Sequence, residues 1–166
     1  MGRARSGDVE ALYAAACPRL VGHLTVLTGS RADAEEIAQE AFVQAVRHWS
    51  RIGEYDDPTA WLYRVATRMA ISRGRRGSVA RRGIARLGAR GTEQVAQSLE
   101  ERVDLDRALA ELSVEHRAVL LLHHVQDLPV AQVARVLGIA EGTVKSRLSR
   151  ARAALLPLLE DPRSTP

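Results

Sequence analysis

Aromatic residues are scarce in this 166-residue chain, at 4%. Cysteine occurs once, as Cys17, so an internal disulfide is excluded and a thiolate zinc site with it. Lysine also occurs once, as Lys145, against 23 arginines, a bias that fits a GC-rich bacterial genome. No apolar run approaches the length that spans a membrane, and no secretory pattern stands at the N-terminus. Alternating β-branched segments bounded by turns are missing. So are an HExxH pair, a metal-spaced cluster among His23, His48, His116, His123 and His124, and a Gly-rich phosphate loop. The expectation is a protein of the reducing cytoplasm with no cofactor, no metal and no catalytic centre of its own. Any chemistry would belong to a partner.

What is present is long stretches rich in Ala, Leu, Arg, Val and Glu. They predict an all-α fold of two small helical domains joined by a flexible linker, the C-terminal one containing a helix-turn-helix. The net charge of +4 and pI near 10.0 are compatible with an anionic partner. The charge is unevenly spread. Residues 104–166 carry eight basic and eight acidic residues, yet four of those cations crowd into one stretch, AEGTVKSRLSRARAAL, at 140–155.

In that stretch Val144, Leu148, Ala151 and Leu155 fall on one narrow stripe at 100° per residue. Gly142, Ser146, Ser149 and Ala153, all small, fall opposite. Lys145 and Arg152 flank the small face on one side, Arg147 and Arg150 on the other. A small spine lets a helix lie deep in a DNA groove while cations on both flanks reach phosphates. An ordinary surface helix would mix Glu with its cations; here Glu141 stands alone, at the start, where the helix dipole favours an acid. Before it, VAQVARVLGIA predicts a short helix with Pro129 at its first position and Gly138 as a left-handed stop. Short helix, glycine turn and basic helix together predict a helix-turn-helix with the second helix as reader.

Upstream, Asp8 to about Thr28 predicts a helix, bent near Pro18 and ended at Gly29. Ser30 is expected to cap a second, with Asp33 completing a capping box. Its expected buried stripe is Ile37, Ala41, Phe42, Ala45, Val46 and Trp49. Asp57-Pro58 opens a third helix bearing Trp61, Leu62, Val65, Met69 and Ile71, which is expected to fray near Gly74. GRRGSVARRGIARLGARG contains five glycines and no acid, and predicts a linker. Its arginines suit nucleic acid, an acidic protein surface or mere solubility alike. The expected boundaries are 1–76, 77–103 and 104–160. In the last of these, LDRALAELS predicts a helix closed around Ser113, which also caps the next.

Three stretches in order, DAEEIAQEAFVQAVRHW at 33–49, PTAWLYRVATRMAISRGRR at 58–76, and the segment 105–155, resemble a bacterial RNA polymerase sigma factor of the extracytoplasmic-function type, in the sigma-70 family. The resemblance implies a first domain that docks on core polymerase and melts the minus-ten promoter element, and a second that reads the minus-thirty-five element. It implies core RNA polymerase (the beta-prime clamp helices and the beta flap) and promoter DNA as partners, and leaves open an anti-sigma factor. By resemblance, Asp33, Glu36, Gln39, Glu40 and Gln44 bind the polymerase. Tyr55, Tyr63, Arg64, Arg68, Arg75 and Arg76 attend the minus-ten strand, where unstacking a base costs a few kcal/mol and a stacking surface offsets it. Thr143, Lys145, Ser146, Arg147 and Arg150 contact the minus-thirty-five duplex. The chain departs from the family pattern at Arg68 (usually Asn), Ser72 (usually Asp), Gln132 (commonly Glu) and Ala140 (often Pro or Ser).

Two rivals remain at this level. A stand-alone helix-turn-helix regulator fits the C-terminal half but not the N-terminal one. A sigma-like protein that binds polymerase without melting promoters would follow if Arg68 and Ser72 abolish opening.

Overall fold

A computed structural model describes the backbone of residues 6–83 and 100–160. Residues 84–99, with Arg86 and Arg90 of the expected linker, lie outside the described residues. All described regular structure is helical: α1 Ser6–Thr28, α2 Arg31–Arg47, α3 Trp49–Ile52, α4 Pro58–Gly83, α5 Glu100–Glu111, α6 Val114–Leu120, α7 Val130–Leu137 and α8 Glu141–Glu160.

The N-terminal half is a bundle of α1, α2 and α4. Leu20, Leu24 and Leu27 recur at helical spacing on α1 and are fully buried. They meet Ile37, Ala41 and Phe42 of α2 and Leu62, Ala66 and Ala70 of α4. Each such leucine contributes about 1.5–3 kcal/mol by leaving water. α1 continues through Pro18 and stops at Gly29, whose φ of +73° suits a residue without Cβ. Ser30 caps α2 as expected, accepting from Asp33 N at 3.2 Å. The return half of the capping box is different: Ser30 N donates to Thr28 Oγ1 at 3.2 Å rather than to Asp33.

Three further expectations are corrected. Val46 is 59% exposed, because it lies beyond the edge of the stripe centred on Ala41 and Ala45. Trp49 is buried but belongs to the separate turn α3. α4 does not fray near Gly74; it runs on to Gly83. Its buried face is Leu62, Ala66, Thr67, Ala70 and Ile71, while Trp61, Val65 and Met69 pack at the rim.

The C-terminal half surrounds Leu109, Leu112, Val119, Leu122, Val133, Val144, Leu148 and Ala151. Asp57 and Ser113 cap their helices, with Ala60 N at 2.9 Å and His116 N at 3.3 Å. Pro129 is the cap of α7, not its first helical residue; its carbonyl accepts from Gln132 and Val133. Gly138 is left-handed at φ +67°. Leu121–Val125 forms a π-helical turn that periodicity did not foresee.

α6 joins the halves. Its Val119 and Leu120 face the C-terminal core. Val114, Ala118 and the following Leu121 are buried in the N-terminal one. The two domains pack directly on each other.

Candidate nucleic-acid and polymerase interface

On α8 burial sets the rotation. Val144 and Ala151 are fully buried and Leu148 nearly so. The opposite face, Gly142, Ser146, Ser149 and Ala153, is exposed, as are Lys145, Arg150 and Arg152. Arg147 and Thr143 are partly buried. Ser146 Oγ donates to Thr143 O at 3.0 Å, an in-helix bond that orients the hydroxyl. Arg152 Nη2 donates to His124 Nε2 at 3.0 Å. Desolvation, then Arg152, lowers the His124 pKa and favours this neutral acceptor. On α6, burial and then Arg147 lower the His116 pKa.

The six residues assigned to the minus-ten strand do not share one open surface. Tyr55 lies exposed on the loop after α3, where Arg51 Nε donates to its hydroxyl at 2.9 Å. Tyr63 turns inward: its ring lies 5.5 Å from that of His23, and burial raises its pKa. Arg64 is partly buried and Arg76 exposed. Arg68 reaches the C-terminal domain, donating from Nε to Val136 O at 2.8 Å, with Nη2 at 3.3 Å from Arg135 O. Arg75 Nε donates to Glu115 Oε1 at 2.6 Å. Burial acts to raise the Glu115 pKa, but the Arg75 bond and further favourable interactions outweigh it and lower it on balance.

On α2, Glu36, Gln39 and Glu40 are exposed, and Asp33 and Gln44 partly buried. Arg73 of α4 forks onto Glu36, both N–O distances being 3.0 Å, and lies 3.6 Å from Asp33. The Glu36 hydrogen bond is the largest influence raising the Arg73 pKa. Val43, 48% exposed, stands on the same face as Glu36, Gln39 and Glu40, with Val46 at its edge. The sequence reading missed this apolar contribution. The signal was available, since Val43 lies opposite the Ile37–Ala45 stripe.

Sequence reasoning also missed a buried polar junction. His23 Nε2 lies 3.2 Å from the fully buried Thr67 Oγ1, and Gln126 Nε2 lies 3.1 Å from His23 Nδ1. No local motif announces it. Among the described residues no group of three or more His, Cys, Asp or Glu is placed to hold a metal.

Residues 12–79 match the family Sigma-70 region 2, and residues 102–155 match Sigma-70, region 4. The ECF RNA polymerase sigma factor SigL of Mycobacterium tuberculosis is 38% identical over 164 residues, covering 95% of this chain and 92% of the relative. The ECF sigma factor SigW of Bacillus subtilis is 30% identical, with 87% and 81% covered. Among solved structures, the sigma factor RpoE of Bartonella quintana, in complex with the anti-sigma factor NepR, shares the fold at a TM-score of 0.71 and 24% identity, over 94% of this chain and 99% of that one. The chain belongs to the extracytoplasmic-function sigma factors of the sigma-70 family, transcription initiation factors that bind core RNA polymerase and direct it to specific promoters.

Proposed function

We propose that this sigma factor divides its work among three surfaces. Thr143, Lys145, Ser146, Arg147 and Arg150 of α8 read the minus-thirty-five major groove. The observation that carries this assignment is the exposed small-residue face of α8, set directly opposite the buried Val144, Leu148 and Ala151. Tyr55, Tyr63, Arg64, Arg68, Arg75 and Arg76 serve the minus-ten strand. Asp33, Glu36, Gln39, Glu40 and Gln44 dock on the beta-prime clamp helices, with Val43 adding apolar area, and the C-terminal domain meets the beta flap. Docking falls within residues 1–76, DNA reading within 104–160, and 77–103 spans between them.

On this reading the chain supplies no chemistry; the polymerase brings the metal and the reaction. It works in the cytoplasm, beside its polymerase and DNA. No described helix is long and apolar enough to cross a membrane. The complex of RpoE with NepR supports an anti-sigma protein as a further partner class.

The test is reconstituted transcription from bacterial genomic fragments, with core polymerase alone and with this chain added. Defined new starts sharing two spaced upstream elements are expected. Core binding without starts would favour a sigma-like protein that does not melt promoters. Absence of both would favour a stand-alone DNA-binding role for the C-terminal domain.

A further inference from the structure

Arg68 stands where the family pattern has asparagine, yet it spends its guanidinium on the other domain. Its bonds to Val136 O and Arg135 O fall on the last turn of α7, the first helix of the helix-turn-helix. Carbonyls there lack intrahelical partners and carry the negative end of the helix dipole, so a cation is favoured. Gly138 leaves room: a Cβ at that residue would lie 2.9 Å from Arg68 Nη2. An asparagine at position 68 is too short to make this contact.

The rest of the junction agrees. Arg75, seven residues along α4, pairs with Glu115 of α6. Gln126 bonds His23. Val114 packs so closely on α4 that a Cβ on Gly74 would stand 2.9 Å from Val114 Cγ1. Two of the residues assigned to the minus-ten strand are thus held by the domain that carries the reader helix. Elements named minus-ten and minus-thirty-five are about 25 base pairs apart, or about 85 Å of duplex. The whole of α4, at 26 residues, spans only about 39 Å. A chain whose α4 is bonded to α7 and α6 cannot seat both domains on their elements.

We propose that Arg68 is a latch that holds the free chain in a closed, self-occupied state, and that promoter engagement requires exchange of the α7 carbonyls for DNA. The latch itself stands on the contacts above; its promoter consequence rests on the assignment of α4 to the minus-ten strand.

The first arm needs neither polymerase nor DNA. In the full chain with Cys17→Ser, Val114→Cys places a thiol at the junction, and its maleimide labelling rate follows the open fraction. Arg68→Ala and Arg68→Asn should each speed labelling by about tenfold, the worth of a charge-assisted hydrogen bond. Labelling at the parental rate in both variants would overturn the latch. The second arm pairs Gly74→Cys with Val114→Cys, whose Cβ atoms would be 3.1 Å apart, so the helices need to part by only a few tenths of an ångström to reach the disulfide range of about 3.5–4.5 Å. The oxidised chain should fail to open promoters and the reduced chain should recover. Equal opening by both forms would overturn the required exchange. If the reduced chain is also inert while labelling responds to Arg68, the fault lies with the assigned function and not the latch.

Discussion

Gln126 donates from Nε2 to His23 Nδ1 at 3.1 Å, tying the π-helical turn region to α1 across 103 positions of sequence. His23 must then carry its proton on Nε2, facing Thr67 Oγ1. Burial pushes the His23 pKa down to about 4 from its usual 6.5.

Between those two values the unfolded chain binds a proton that the folded chain refuses. Stability is therefore full above pH 6.5 and is lost as pH falls toward about 4, by up to about 3 kcal/mol. Thermal melts from pH 7.5 to 4 should show this slope, and His23→Gln should flatten it. An unchanged slope in the variant would place the acid sensitivity in another group.

Gly138 sits at φ +67° with Arg68 beside it. Gly138→Ala should cost about 1–2 kcal/mol, the strain of a left-handed Cβ. Gly138→Val should cost more and Gly138→Asn least, because Asn tolerates that region. Equilibrium denaturation gives the order; a valine variant as stable as the parent would contradict the strain.

If all four cations of α8 contact phosphates, log affinity for duplex falls against log salt with a slope of roughly −3 to −4. Lys145→Ala and Arg150→Ala should each shrink it by about 1, since both side chains face solvent. Arg152→Ala should change it less, because Arg152 is already engaged with His124. Equal effects at all three positions would mean that Arg152 leaves His124 on binding. Fluorescence anisotropy over a salt series provides the measurement.

Arg73 bridges α4 to Glu36 and Asp33 in a solvent-facing fork. Solvent screening keeps such pairs weak, so Arg73→Ala should change stability by no more than about 1 kcal/mol. Glu36→Ala should also leave the fold intact but weaken binding to core polymerase. Unaltered affinity in a pull-down titration would remove Glu36 from the docking surface.

Much of this was readable locally. Helix starts at Ser30, Asp57 and Ser113 follow from side chains that reach a backbone N–H three residues on. The exposed small-residue face of α8 follows from periodicity alone, since Val144, Leu148 and Ala151 can only turn inward together. Failures came where locality ends. Gly74 and Gly77 suggested a linker, yet α4 runs through them, because Val114 packs against Gly74 and Arg75 pairs with Glu115. Contacts from 40 residues away outweighed a helix penalty of about 1 kcal/mol per glycine.

The sequence by itself determined the helical class, the caps at Ser30, Asp57 and Ser113, the helix-turn-helix and the family, because each rests on spacing within a few turns or on motif order. Tertiary structure alone decided what Arg68, Arg75 and His23 do. Each has several chemically suitable partners, and the choice falls to the residue that packing brings within 3 Å or so. For Arg68 that was the carboxyl end of α7, 68 positions away. No pattern in the chain could specify it, since the bond depends on how α6 sets one domain against the other.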